Sequence, residues 1–158
     1  MAITKTISLK EFSKQFKLDH KFLKENKKQV KDSVYSACLK SVPKLAEESP
    51  VDTGLYASAW QVEETKDEVL IGNTAPYADA VEYGMEPQDV PVQPLIEWAA
   101  RQLQVPADDK QAISFGWAVK QTIKKYGLEP RYILTKGIDD IIYPNIKKEL
   151  KQFLKNKK

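Results

Sequence analysis

Carboxylates are the side chains in this sequence that are numerous enough, and close enough in sequence, to suggest a catalytic pair. A glycosidase needs only two of them, because one carboxyl donates a proton while the other acts as base or nucleophile. The middle third is crowded with acidic residues: Glu63, Glu64, Asp67, Glu68, Asp79, Glu82, Glu86 and Asp89. Spacing alone does not exclude a reactive pair, but acidic residues in hairpins and loops are usually solvated. We therefore expect no enzymatic activity.

Other catalytic and cofactor-binding patterns are missing from the sequence. His20 is the only histidine and Cys38 the only cysteine, so a histidine-based triad or a multi-histidine metal site cannot be drawn. The six glycines are scattered singly, and neither a P-loop nor a dinucleotide fingerprint can be formed from them. We expect no cofactor, no metal and no small-molecule substrate. Cys38 lies in an apolar helical row, which favours a small buried residue over a reactive thiol.

Charge is strongly segregated along the chain. Residues 1–48 contain 11 basic and 6 acidic residues, a net charge of +5. Residues 49–112 contain 3 basic and 12 acidic residues, a net charge of −9, and residues 113–158 contain 11 and 4, a net charge of +7. Three interpretations stay open: solvated helix faces, basic surfaces that contact nucleic acid, or surfaces of opposite sign that meet when copies associate.

The nucleic-acid hypothesis depends on lysines at helical spacing, and any such binding would be non-specific and salt-dependent. The lysines in question are Lys24, Lys27, Lys28, Lys31, Lys120, Lys124, Lys125, Lys147, Lys148 and Lys151. Arginine usually reads base edges, and the chain has only Arg101 and Arg131.

No apolar run reaches the roughly 18 residues of a membrane span, and the first residues lack the pattern of a secretory signal. We expect synthesis in the cytoplasm and no membrane partner.

The predicted fold class is α+β, with a long N-terminal helix and C-terminal helices packed on a small antiparallel sheet built around a hairpin. One domain should cover residues 1–158, with an arm and a short helix over 1–18 and a frayed tail over 155–158. Ser8 and Glu11 form a capping box for the short helix. Asp19 caps the long helix, which runs to about Glu48, and Pro43 should kink or break it near Ser41. No internal repeat is apparent.

The central third predicts a hairpin followed by helices. Alternation over 57–65 places Trp60 and Val62 on one face of a strand, and residues 68–72 supply its partner. A short helix should begin at Pro76 and end at Gly84, the loop 85–92 follows it, and Pro94 suits the first turn of the next helix. The apolar stripe of that helix, predicted to face inward, contains Leu95, Ile96, Trp98, Ala99 and Leu103. Asp108 is expected to cap a further helix, whose inward stripe contains Ile113, Trp117, Ala118 and Ile123. A last helix is bent by Pro144.

Two segments of the central third specify backbone shape. The first contains Pro50, Asp52, Thr53, Gly54, Leu55 and Trp60, and the second contains Gly72, Asn73, Pro76, Tyr77, Glu82, Tyr83 and Gly84. The Asp52 carboxylate is placed to accept from backbone N–H groups two or three residues on, and Gly54 to adopt a conformation or a close approach that a side chain forbids. Trp60, Tyr77 and Tyr83 are expected to pack the hairpin against the helices.

These segments, with Gly127 and residues 130–132, resemble the tail-component family of tailed bacteriophages, whose members are described as tail-completion, minor tail or head–tail joining neck proteins. The resemblance implies a non-enzymatic virion protein that acts at the head–tail interface of a double-stranded DNA phage or prophage. It also implies a homo-oligomeric ring or collar, hexameric or twelve-fold, that contacts other neck, connector or tail proteins and transiently the packaged DNA. The alternative is a non-specific nucleic-acid-binding module.

The charge segregation suggests how such subunits would meet. We expect the acidic middle of one copy to contact a basic helical face of the next copy or of a tail protein. The candidate interface residues are Glu63, Glu64, Asp79, Glu82, Glu86, Asp89, Lys24, Lys28, Lys31, Lys120 and Lys124.

Overall fold

The computed structural model describes residues 3–8, 13–14 and 16–156. Its elements, in chain order, are β1 (Ile3–Ser8), α1 (His20–Glu25), α2 (Lys27–Glu47), α3 (Leu55–Ser58), β2 (Trp60–Glu64), β3 (Glu68–Asn73), α4 (Ala78–Tyr83), α5 (Gln93–Leu103), α6 (Lys110–Tyr126), α7 (Ile133–Gly137), a π-helical turn (Ile138–Ile142) and α8 (Tyr143–Asn156). The described residues form helices and one small three-stranded antiparallel sheet, which confirms the predicted α+β class.

The sheet has the strand order β1-β3-β2, and both pairings are antiparallel. The predicted hairpin of β2 and β3 is confirmed, with Trp60 opposite Asn73. Trp60 is buried and Val62 half-buried while Gln61 and Glu63 are exposed, so the predicted alternation is correct. The strand begins at Trp60 because the residues before it form the short helix α3, where a strand was expected from Ala57.

The first strand was not predicted. Residues 1–18 were expected to form an arm and a short helix. Residues 13–14 and 16 are helical, in agreement with the expected short helix, but the expected arm contains β1, which pairs along the whole of β3, with Ile3 opposite Asn73 and Ser8 opposite Glu68. Ile3 and Ile7 point into the core, and this burial holds the strand in place. Ser8 therefore ends a strand. Glu11, its expected capping partner, lies outside the described residues.

The predicted long helix is divided near its beginning and is unbroken at its proline. Asp19 caps α1 as expected, accepting from the backbone N–H of Lys21 at 3.4 Å. Asn26 separates α1 from α2 and donates its side-chain amide to the carbonyl of Phe22 at 2.9 Å. Pro43 lies inside α2, which continues to Glu47, so the break expected near Ser41 does not occur. The buried face on both sides of the proline holds the helix in one piece.

The C-terminal helices form one run from Ile133, with a π-helical turn just before Pro144. Within that turn the N–H of Tyr143 donates to the carbonyl of Ile138. The wider turn makes room for a ring that would otherwise crowd the preceding turn, and in this way the helix accommodates the proline. Helix α8 reaches Asn156, so the first half of the predicted frayed tail is helical, and residues 157–158 lie outside the described part.

Helices α5 and α6 form an arm that packs mainly on itself. Its small core consists of Ile96, Ala100 and Ala112. On α6 the buried residues are Ala112, Gly116 and Ile123, while Ile113, Trp117 and Ala118 are exposed, so the predicted inward stripe was wrong apart from Ile123. On α5, Ile96 and Ala99 are buried as expected, Leu95 and Trp98 are half-buried, and Leu103 is exposed. Asp109, one residue after the expected Asp108, caps α6 by accepting from Gln111 at 2.7 Å.

The main core lies between the sheet and the helices α2, α7 and α8. It contains the apolar row of α2 that the spacing predicted, including Val30, Val34, Cys38 and Leu45. Described residues 84–130 contribute nothing to this cluster. None of the helices in the described part of the chain is long and apolar enough to cross a membrane.

Candidate functional site

Polar residues of the first motif bind other parts of the fold. The indole N–H of Trp60 donates to the Ser49 hydroxyl at 2.9 Å, and this hydroxyl donates to the carbonyl of Leu45 at 2.7 Å. Pro50, directly after Ser49, is half-buried. The first motif therefore anchors the hairpin to the end of α2.

The turn between α2 and α3 is built as predicted at Gly54 but not at Asp52. Gly54 has φ +79°, and no atom lies within 4 Å of the place that a Cβ would take, so conformation and not close approach requires glycine. Thr53 Oγ1 accepts from the N–H of Leu55 at 3.4 Å. Asp52 instead accepts from Arg101, from Nε at 3.0 Å and from a terminal guanidinium nitrogen at 2.7 Å. The hydrogen bonds from Arg101 hold the pKa of Asp52 below its usual value.

Asn73 joins the two motifs. Its side-chain amide donates to the carbonyl of Tyr56 at 2.7 Å, and its oxygen accepts from the N–H of Ala75 at 3.0 Å. The adjacent Gly72 lies so close to β1 that a Cβ would be 2.2 Å from the carbonyl oxygen of Ile3. Pro76, at which a helix was expected to begin, is exposed and precedes α4 by two residues.

Glu82 is fully buried, so its prediction as an interface residue was wrong. Its carboxylate accepts three hydrogen bonds: from the N–H of Leu134 at 2.9 Å, from the N–H of Thr135 at 2.8 Å and from the hydroxyl of Thr135 at 2.7 Å. These donors belong to the first turn of α7, whose backbone N–H groups have no partner within the helix. Glu82 is thus an N-terminal cap supplied by a distant segment.

The aromatic residues divide into buried and exposed ones. Trp60 is buried as expected, with its ring centroid 5.9 Å from that of Tyr56. Tyr77 is 41% exposed with one side of its ring near Tyr56, and Tyr83 is 61% exposed, so the expected packing of Tyr83 was wrong. The buried tyrosine is Tyr56, and burial, with smaller contributions from Glu82 and Tyr77, raises its pKa to about 12.

Several candidate interface charges pair within the chain. Asp89 lies 3.2 Å from Lys120 and 3.8 Å from Lys124, and Lys31 lies 3.5 Å from Glu64. These pairs satisfy charges that were expected to face another copy. The remaining candidates are Glu63, Glu86, Lys24 and Lys28, which are exposed, and Asp79, which is half-buried.

A short internal repeat was missed. Residues 83–87 read Tyr-Gly-Met-Glu-Pro and residues 126–130 read Tyr-Gly-Leu-Glu-Pro. This similarity of two pentapeptides is the sequence signal that could have revealed the repeat. The two copies meet: Met85 and Leu128 exchange both backbone hydrogen bonds, at 2.9 and 2.8 Å, in an isolated antiparallel bridge. An antiparallel pair is related by a local two-fold axis, so the two pentapeptides form a pseudo-symmetric clasp.

The glycines make the clasp possible. Gly84 and Gly127 end α4 and α6, and both have φ +75°. A Cβ on Gly84 would lie 2.3 Å from the carbonyl oxygen of Leu128, and one on Gly127 would lie 2.1 Å from that of Met85. Both a positive φ and a close approach therefore require glycine at each position.

The clasp forms one side of an open hollow of about 430 Å³. It is lined by residues from both pentapeptides, including Tyr83, Tyr126, Glu86, Pro87, Glu129 and Pro130. Tyr126 is 69% exposed and both glutamates are exposed. We call this surface the tyrosine hollow. Exposed tyrosines on rigid backbone are typical of protein contact sites.

The described residues contain no group of three or more His, Cys, Asp or Glu side chains that could hold a metal ion. Burial raises the pKa of the Cys38 thiol to about 12, which keeps it protonated and unreactive. No family model matches the chain, and neither a curated protein nor a solved structure matches it.

Proposed function

We propose that this chain is a structural, non-enzymatic virion protein of a tailed double-stranded DNA phage or prophage. Its subunits form a ring or collar at the head–tail interface. The observation that supports the proposal is that polar side chains of the two motifs form hydrogen bonds inside the fold. Trp60, Asn73 and Glu82 all make their hydrogen bonds to other parts of the fold, so the two segments that resemble the phage family specify shape.

The surface supports an assembly role. The tyrosine hollow and the exposed apolar residues of the arm, such as Trp117 at 46% exposure, are available to partners. Surface aromatic residues on rigid elements supply contact area at a small cost in conformational entropy. Two different surfaces that bind each other on successive copies generate a closed ring when the rotation between copies closes.

The test is inactivation of the gene in the phage that encodes the chain, followed by electron microscopy of the particles. We expect filled heads and separate tails, and joined particles when the wild-type chain is supplied in trans. The variant Trp60→Ala, supplied in trans in the same way, should not restore joined particles, because it removes the indole that anchors the hairpin. Normal joined particles from the inactivated phage would refute the proposal.

A further inference from the structure

A lysine face is present on the last helix. Lys147, Lys148, Lys151 and Lys155 line one open hollow with Pro144 and Gln152, and all four extend toward solvent. None of these lysines forms an ion pair within the described part of the chain. Four ammonium groups over about two helical turns give a strongly positive stripe.

The tyrosine hollow offers the opposite charge together with aromatic rings. Glu86 and Glu129 occupy equivalent positions in the two pentapeptides, and neither is in an ion pair among the described residues. The Lys125 ammonium lies 4.8 Å from the centroid of the Tyr126 ring, within cation–π distance. Carboxylates beside aromatic faces form a surface that suits lysine side chains.

The two surfaces belong to different elements of the chain. The hollow ends at Pro130, three residues before α7, and Lys148 lies fifteen residues beyond the start of α7. A straight helix of that length would extend about 22 Å at 1.5 Å per residue. No ion pair joins the two surfaces within the described part of the chain, so a pairing between them would join two molecules.

We propose that the lysine face of one copy docks into the tyrosine hollow of the next. This inference rests on the proposed ring-forming function and names its subunit contact. Other acidic candidates, such as Asp89 and Glu64, already have partners within the chain, whereas Glu86 and Glu129 form no ion pair in its described part. The contact joins two different surfaces, so each copy keeps one of each for its neighbours.

Zero-length carbodiimide crosslinking tests the contact on the full chain. Equal amounts of ¹⁴N- and ¹⁵N-labelled protein are mixed at the highest soluble concentration in low salt, crosslinked and analysed by mass spectrometry. We expect mixed-isotope crosslinks that join Glu86 or Glu129 to lysines of the lysine face. Spectra in which these mixed-isotope pairs are missing would overturn the proposal.

Neutralising variants sharpen the test. We expect the wild-type chain to associate in sedimentation velocity at low salt. Glu86→Gln/Glu129→Gln should abolish this association and leave the 18.0 kDa monomer, while the control Glu97→Gln/Asp108→Asn, which removes two other exposed negative charges, should behave as wild type. Lys148→Gln/Lys151→Gln should also be monomeric. A 1:1 mixture of the two monomeric variants should form dimers and nothing larger, because only one interface is intact. Association that all variants retain would refute this contact.

Two outcomes separate this contact from the proposed function. If gene inactivation leaves heads and tails unjoined while the crosslinks are missing, the function stands and the contact is wrong. If Lys148→Gln/Lys151→Gln weakens binding to a labelled DNA duplex in fluorescence anisotropy and no subunit crosslink is found, the lysine face binds phosphate and the docking proposal is overturned.

Discussion

Replacing Glu82 by glutamine tests the buried cap of the C-terminal helices. The carboxylate accepts three hydrogen bonds: Oε2 accepts from the backbone N–H of Leu134, and Oε1 accepts from both the backbone N–H and the hydroxyl of Thr135. A glutamine keeps one carbonyl oxygen and turns an NH₂ group toward a buried N–H donor. An unpaired buried donor costs about 1–3 kcal/mol. Loss of a negative charge at a helix N-terminus costs roughly another 0.3–1 kcal/mol.

We therefore expect Glu82→Gln to lower the free energy of unfolding by about 1–4 kcal/mol. For a domain of this size that corresponds to a fall in Tm of roughly 3–16 °C. Urea denaturation followed by circular dichroism should show a lower midpoint with an unchanged slope, since the native surface is unaltered. The control Glu63→Gln makes the same chemical change at an exposed strand position and should alter stability by less than about 0.5 kcal/mol.

A second substitution isolates the geometry of the cap. Thr135→Val removes the hydroxyl that donates to Glu82 at 2.7 Å but leaves both backbone donors in place. It should cost about 1 kcal/mol alone, and less when Glu82 is already glutamine, because the deleted hydroxyl and the substituted carboxylate are the two partners of the same hydrogen bond. If Glu82→Gln melts at the temperature of Glu63→Gln, the carboxylate does not stabilise α7 and our assignment of the cap is wrong.

Two further predictions concern a glycine of the clasp and the ion pair between Arg101 and Asp52. Gly127→Ala should destabilise the fold more than Gly54→Ala in thermal melting, because its Cβ would lie 2.1 Å from a backbone oxygen while Gly54 has open space; equal losses would show that positive φ alone matters. Arg101→Gln should cost about 0.2–1 kcal/mol at neutral pH, since Arg101 lowers the pKa of the partly exposed Asp52. A carboxyl with a lowered folded-state pKa stabilises above its ordinary value, so the difference between wild type and Arg101→Gln should shrink as the pH falls below about 3.9. A difference that is independent of pH would contradict this pairing.

Local patterns predicted the elements that depend on local interactions. Alternation around Trp60 indicated β2, and apolar spacing indicated the buried face of α2, because side-chain periodicity determines which face can leave water. Strand β1 could not be found in this way. Its two apolar residues, Ile3 and Ile7, are four apart, a spacing that fits a helix as well as a strand. The segment becomes a strand through pairing with β3, which is distant in sequence.

The buried face of α6 was assigned wrongly for a physical reason. The expectation placed the large residues Ile113 and Trp117 inward. The helix instead turns its small residues to α5: a Cβ on Gly116 would lie 2.6 Å from the side chain of Ile96. Two helices that approach this closely must face each other with small residues, and the large ones are then left outside. Periodicity alone does not report the distance between helices.

The site was predicted only in part, because its residues act across long separations in sequence. Tyr83 and Glu82 are adjacent, and both were expected to matter, yet one is exposed and the other fully buried. The rotation of α4 decides between them, and hydrogen bonds from α7 set that rotation. The repeated pentapeptide was visible in the sequence, but only the bridge between Met85 and Leu128 shows that its copies meet.

The clasp also determines how the arm is presented. The arm and its flanking loops are inserted between Met85 and Leu128. These two residues form backbone hydrogen bonds to each other, so the insertion, which we call the excursion, is closed at its base, or root. The main core forms without any described residue of this excursion, and Arg101 binds Asp52 as a second attachment to the body. The tyrosine hollow lies at this closed root. A subunit that docks there contacts the end of α4 from the body and the end of α6 from the arm at once, so the contact that joins neighbouring copies would also fix the angle of the arm to the body.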